Sequence, residues 1–202
     1  LAVVSINNGQ PSYQFYRDGT AERQINNEML NENTPSATKV FHVGSIALID
    51  GEDANLWEQK FCELAEQGVI TSLDPNIREL LVKNKKQYLD RLERMSKHAN
   101  ILKLSDEDLN YMRPKASLGD AFIEICNTTS AEIIVLTMGA KGARVKAGEI
   151  YFEVGAAVCD PLVDTVGAGD TFMGIILAEL SEKKASAATL SNISEDELTY
   201  II

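Results

Sequence analysis

The sequence predicts an α/β protein: a three-layer α/β/α arrangement around a mainly parallel sheet, with two short strands set apart at the start of the chain. Three observations lead there. Short runs rich in Val, Ile and Leu recur along the chain, and each is followed by a segment with helical spacing. Parallel strands need crossovers of that kind, which lay helices on the faces of the sheet. The first seventeen residues break this rhythm, as two short strands separated by a turn.

Residues 1–6 and 12–17 are predicted strands, separated by Asn7-Asn8-Gly9-Gln10-Pro11, a strong turn signal. Val40-Phe41-His42-Val43 is the next strand. Trp57, Phe61, Leu64 and Ala65 then recur at helical spacing, and Gly68 stands where a C-terminal cap belongs. A strand is expected at residues 69–73 and a charged helix over 77–98, with Tyr88, Leu89, Leu92 and Met95 as its buried stripe. Residues 100–104 form another strand, and Ser105-Asp106-Glu107-Asp108 has the pattern of a capped helix start. A helix near 117–127 precedes the most apolar strand, Ile133-Ile134-Val135-Leu136. A hairpin around Ala147-Gly148-Glu149 leads into residues 150–154, and Thr171–Leu180 reads as an apolar helix.

Of the 202 residues 45% are apolar and 24% charged, enough for one sizeable core. The net charge of −11 with scattered Lys and Arg argues against a nucleic-acid surface. No apolar run approaches the length of a membrane span, and residues 1–6 lack the basic flank of a signal peptide. Cys62, Cys126 and Cys159 are odd in number and far apart, which suits reduced core residues of a cytoplasmic protein.

In open α/β sheets ligands sit beyond the carboxyl ends of the strands. The segments there are Asp74-Pro75-Asn76-Ile77-Arg78, Lys103-Leu104-Ser105, Thr137-Met138-Gly139-Ala140-Lys141-Gly142, and Asp164-Thr165-Val166-Gly167-Ala168-Gly169-Asp170. In the last of these, small residues open a helix. They let the backbone turn tightly, and the unpaired first N–H groups and the helix dipole attract anions. A carboxylate at Asp170 could take the proton of an attacking hydroxyl while those N–H groups stabilise a transferring phosphoryl group. Equally, Asp170 could cap the helix and the glycines could only turn the chain.

Asp164-Thr165-Val166-Gly167-Ala168-Gly169-Asp170-Thr171-Phe172 resembles the signature of the ribokinase-like (PfkB) carbohydrate kinases. Leu136-Thr137-Met138-Gly139-Ala140-Lys141-Gly142-Ala143, Asp74-Pro75-Asn76-Ile77-Arg78 and Ala99-Asn100-Ile101-Leu102-Lys103-Leu104-Ser105 follow that family's order. The resemblance spans residues 1–202 and is closest to the fructokinase and 2-keto-3-deoxygluconate kinase branch. It implies a ribokinase-like fold, with residues 1–25 forming part of a small antiparallel β lid and residues 26–202 the kinase core. It also implies ATP-dependent phosphorylation of a sugar hydroxyl, with Asp170 as base and sugar contact and Gly167, Ala168 and Gly169 as anion hole.

By the same resemblance Lys103, Ser105, Thr137, Gly139, Lys141 and Gly142 would lie along the nucleotide. Ser105 and Asp108 fall where relatives use Asn and Glu near magnesium, so Asp108 is a candidate metal contact with helix capping as its alternative. Mg2+ is expected with ATP, and in some relatives the backbone near Asp164 and Thr165 binds a potassium-like cation. Arg17, after Phe15-Tyr16, would lie on the lid strand and either reach the sugar or guard an exposed edge. Arg78 would face the cleft or else the surface. Phe15 replaces a Tyr of acid-specific relatives, which favours a neutral sugar such as fructose. A homodimer through the lid is also implied.

The alternatives are a 2-keto-3-deoxygluconate or nucleoside kinase on the same scaffold, or a non-catalytic nucleotide-binding regulator. A dinucleotide binder lacks its G-x-G-x-x-G. The chain begins inside a strand, and the helix at its other end stops on two isoleucines, expected to be exposed. It is therefore expected to be a portion of a protein of roughly 300 residues, missing neighbours at one sheet edge.

Overall fold

The structure is a computed structural model that describes residues 2–7 and 10–202. Strands β1 (Ala2–Asn7) and β2 (Gln10–Phe15) pair antiparallel as a separate two-stranded sheet. Asn8 and Gly9, the centre of the expected turn, lie outside the described residues. Asn7 and Gln10 already pair across the ladder. β2 therefore starts and stops two residues earlier than the sequence suggests, and it contains Pro11, which an edge strand tolerates. One consequence is that Arg17 lies past the strand rather than on it.

The second sheet has six strands in the order in which they occur along the chain. They are β3 (Val40–Gly44), β4 (Ile70–Asp74), β5 (Ile101–Ser105), β6 (Ile133–Thr137), β7 (Ala143–Ala147) and β8 (Ile150–Val154). β3 to β6 run parallel, whereas β7 and β8 return antiparallel through the hairpin. β4, β5 and β6 are buried almost throughout because both faces are covered, whereas His42 on β3 is exposed.

Side chains alternate between the two faces. Leu73, Leu102, Leu104, Ile134 and Leu136 point to one core, shared with Phe61, Tyr88, Leu92, Phe122 and Ile125. These come from α2 (Gly51–Glu66), α3 (Lys85–Ser96) and α5 (Leu118–Thr128), which follow the short α1 (Asn27–Glu32) and flank α4 (Asp106–Met112). Ile70, Ile101, Ile133 and Val135 point to the other core, with Met173, Ile176 and Leu180 of α6 (Ala168–Glu182) and Leu198 and Ile201 of α7 (Glu195–Ile201). Each fully buried Leu or Ile contributes about 1.5–3 kcal/mol, so the two cores hold the helices to the sheet.

Helix starts follow the polar residues that precede them. The side chains of Asn26, Asn84, Ser105, Ser117 and Ser194 each accept a backbone N–H of the helix they open. The cap at Asn84 corrects the predicted helix over 77–98. After Pro75, Asn76 adopts φ 39°, and Glu79–Leu81 makes only a 3-10 turn before α3 begins. Two further expectations change. Cys159 is exposed, while Cys62 and Cys126 are half-buried. Ile201 is buried and Ile202 packs partly on the second core, because the amphipathic turn of α7 folds back onto the sheet.

Candidate active site

The carboxyl ends of β4 and β5 and the start of α6 meet on the α6 face of the sheet. Alternation sets this up: on β3, β4 and β5 the residues that share a face with Ile70 and Ile101 are His42, Ser72, Asp74 and Lys103. His42 Nδ1 lies 3.0 Å from Ser72 Oγ. Lys103 Nζ donates to both oxygens of Asp74, at 3.0 and 3.2 Å. Both partners are almost wholly buried, with Lys103 4% and Asp74 3% exposed.

Gly167 opens α6 as its N-cap, with φ 77°, a left-handed conformation that suits glycine. The helix starts three residues earlier than predicted, so Asp170 belongs to its first turn and is exposed. The N–H of Ala168 donates to the Thr165 carbonyl at 3.2 Å, which removes that donor from the expected anion hole. The N–H groups of Gly167, Gly169 and Asp170 have no acceptor among the described residues. A Cβ on Gly169 would sit 3.4 Å from Lys103 Nζ, so the buried ammonium lies directly under the first turn.

Asp170 is close enough for its charge to act on both His42 and Asp74. Burial pulls the His42 imidazole below its ordinary value; Asp170 opposes this and Lys103 adds to it. Burial pushes the Asp74 carboxyl from 3.8 up to about 6, against the pull of Lys103, while Asp108 and Asp170 push it the same way.

Between the two values the unfolded chain has released the Asp74 proton and the folded chain has kept it. Its contribution is therefore full below 3.8 and lost as pH rises through about 6. The melting-temperature margin of the parent over Asp74→Asn is expected to shrink between pH 4 and pH 7. A margin that grows over this range would contradict the raised value.

Asp108 takes the helix-capping geometry that was the alternative to a metal contact. Its Oδ2 accepts the Ser105 N–H at 2.8 Å and its Oδ1 the Ile77 N–H at 2.7 Å, while Ser105 Oγ accepts the Asp108 N–H at 3.0 Å. Both carboxylate oxygens are thus engaged by backbone donors, in a capping box that also ties α4 to the loop after β4. The Ser105 oxygen works as a cap, although its hydroxyl hydrogen can still be donated.

Thr137 ends β6, with its hydroxyl 3.3 Å from the Leu104 carbonyl. Gly139, Ala140 and Lys141 make an exposed 3-10 turn. Gly142, with φ 89°, sits so close to β8 that a Cβ would come within 1.8 Å of the Val154 carbonyl oxygen.

Arg17 also departs from expectation. Its Nε pairs with Glu22 at 2.9 Å and an Nη with Asp50 at 3.4 Å, while the other Nη donates to the Ile46 carbonyl at 2.8 Å. Being past β2, it is held against the core rather than presented on the lid strand. It lines a cleft of about 300 Å³ with Phe15, Tyr16, Asp18, Arg23, Asp50, Leu81 and Lys83. Arg78 is half-buried at the start of the 3-10 turn that carries Leu81 to the cleft. Asp74, His42 and Gly44 are site residues that carry no role in the sequence pattern. A Cβ on Gly44 would meet the Asp74 carbonyl oxygen at 1.8 Å, so the two strand ends are packed backbone to backbone.

A family model for pfkB family carbohydrate kinases matches residues 1–191. The chain belongs to the pfkB family. It is 37% identical over 180 residues to a fructokinase from Rhizobium leguminosarum bv. trifolii, covering 89% of the chain and 54% of the relative. It is 30% identical over 187 residues to a probable fructokinase-4 from Arabidopsis thaliana, covering 92% and 57%. Among solved pfkB-type structures, a fructokinase from Vibrio cholerae O395 with fructose, ADP and calcium superposes with TM-score 0.76 at 27% identity, covering 89% of this chain and 58% of that one. The chain spans about half the length of the curated relatives it matches.

Proposed function

We propose that the protein carrying this chain transfers the γ-phosphoryl group of ATP to a hydroxyl of a sugar, with fructose the leading acceptor. The observation that carries this reading is the first turn of α6. There Asp170 shares the first turn with Gly169, which lies against the Lys103 ammonium, and the N–H groups of Gly167 and Gly169 have no acceptor among the described residues. Asp170 takes the hydroxyl proton, and the N–H groups and Lys103 meet the charge that develops on the phosphoryl oxygens. Thr137, Gly139, Lys141 and Gly142 flank the nucleotide from the end of β6, with Ser105 donating from the end of β5. Arg17 and Arg78 serve the sugar side through the cleft and the turn that borders it.

Among the described residues no group of three or more His, Cys, Asp or Glu could hold a metal ion, and Asp108 is engaged by backbone. These residues do not make a cation cage, so Mg2+ belongs to the proposal only as the ion that accompanies the ATP phosphates. Potassium near Asp164 and Thr165 is included because a Vibrio cholerae fructokinase variant was solved with fructose, ADP and potassium. No helix of the described residues is long and apolar enough to cross a membrane, and a cytoplasmic location is part of the reading. So is the division into a lid, residues 1–25, and a core, residues 26–202. Val3 and Val4 are exposed on the two-stranded lid, and pairing of two lids is the proposed dimer contact.

A coupled assay of the whole protein with ATP tests the acceptor. The panel holds ketohexoses, aldohexoses, 2-keto-3-deoxygluconate and nucleosides, with and without potassium. Fructose is expected to give the highest kcat/KM. A nucleoside or the keto acid in first place would reassign the substrate, and no ADP release with any acceptor would remove the kinase reading.

A further inference from the structure

The buried pair beneath α6 has a second member whose part in the reaction can be derived. Asp74 and Lys103 occupy positions in the same layer as Ile70 and Ile101, where apolar residues pack the sheet against α6. Burying an ion pair there costs several kcal/mol per ion, and well-packed apolar residues would often be as stable or more so. The pair is therefore poorly explained as a device for stability.

Its geometry points elsewhere. Among the described residues, Lys103 has no hydrogen-bond acceptor other than the two Asp74 oxygens, and those oxygens accept from no other group. This contrasts with Asp108, whose oxygens both serve backbone. On its open side the ammonium faces Gly169, the one residue of the first turn whose missing side chain lets it come this close. A lysine on a flexible four-carbon stem in an apolar layer has no fixed position unless a carboxylate holds it.

Resting on the kinase reading, we propose that Asp74 is a positioning residue for phosphoryl transfer. It holds the Lys103 ammonium aimed at the backbone of Gly169, so that a positive charge underlies the N–H groups that face the transferring phosphoryl group. Gly169 is the aperture through which that charge acts. Asp74 itself touches neither substrate.

The test is a double-mutant cycle in the whole protein with Asp74→Asn, Lys103→Met and the two combined. Each single change is expected to lower kcat at least about tenfold with sugar KM held within about twofold. Because Asp74 acts through Lys103, the combined variant should be no slower than Lys103→Met alone. Affinity for ADP with aluminium fluoride, a mimic of the transferring group, should fall at least about tenfold in Asp74→Asn. Affinity for ADP alone should change far less, and a purely structural role would not produce that split.

Multiplying losses in the combined variant, or unchanged kcat in Asp74→Asn, would overturn the proposal. If Asp74→Asn fails to fold, Asp74→Leu with Lys103→Met removes both charges, and its kcat should equal that of Lys103→Met. A much lower value overturns the proposal equally. Asp170→Asn run in parallel separates the two levels: if it lowers kcat at least about a hundredfold while Asp74→Asn leaves kcat at the parental value, only the role of Asp74 falls.

Discussion

Replacing Asp170 with Asn is expected to leave the protein folded and able to bind ATP while lowering kcat at least about a hundredfold, the scale of losing a general base. The substitution keeps the shape of the first turn of α6. Asp170 is exposed there and caps no other group among the described residues, so the turn does not depend on its charge. Asn cannot accept the hydroxyl proton. Turnover should fall at all pH values, with KM for the sugar little changed. Steady-state kinetics beside a melting curve check this. Near-parental kcat in a folded variant would return Asp170 to the role of a helix-start residue.

The largest expected effect on stability is at Gly142. Its φ of 89° is strained for any L side chain, and a Cβ would meet the Val154 carbonyl oxygen at 1.8 Å and the Ala156 nitrogen at 2.9 Å. None of these is a flexible side-chain end, so the hairpin itself must shift. Strain and overpacking each cost about 1–3 kcal/mol. Gly142→Ala should therefore destabilise by about 3 kcal/mol or more, lowering the melting temperature by roughly 6–12 °C. Gly139 is the control. Its φ is 55°, yet nothing lies within 4 Å of an added Cβ, so Gly139→Ala should cost about 1 kcal/mol. Equal losses at the two positions, measured by urea or thermal unfolding, would contradict the close approach to β8.

Local sequence pattern carries part of this arrangement, and long-range pairing carries the rest. Strand β6 shows as an apolar run because both its faces are buried, and α6 shows because small residues precede an apolar helical stretch. Ser105 and Asp108 carry a local capping pattern three residues apart, which the structure realises. The Asp74–Lys103 pair was not legible. Its members are 29 residues apart and meet only because β4 and β5 are neighbours in parallel register. His42 reads as a lone histidine until β3 is placed beside β4, when Ser72 and the charge of Asp170 come within reach. Arg17 was misplaced because Pro11 looks like a turn residue, whereas it sits inside an edge strand. Long-range pairing and strand register set these positions, and neither is written in a local pattern.

Substituting both Lys and Asp at the site tests how the charge is arranged, but the chemistry itself has a more direct measurement. The whole protein is incubated with fructose and ATP radiolabelled at the γ-phosphate, and the products are separated. Label is expected to appear in a sugar phosphate, one equivalent for each ADP formed, at a rate at least about a hundredfold lower when Asp170→Asn replaces the parent. Label recovered only as inorganic phosphate, or equal transfer by parent and Asp170→Asn, would contradict a sugar kinase that uses Asp170 as its base.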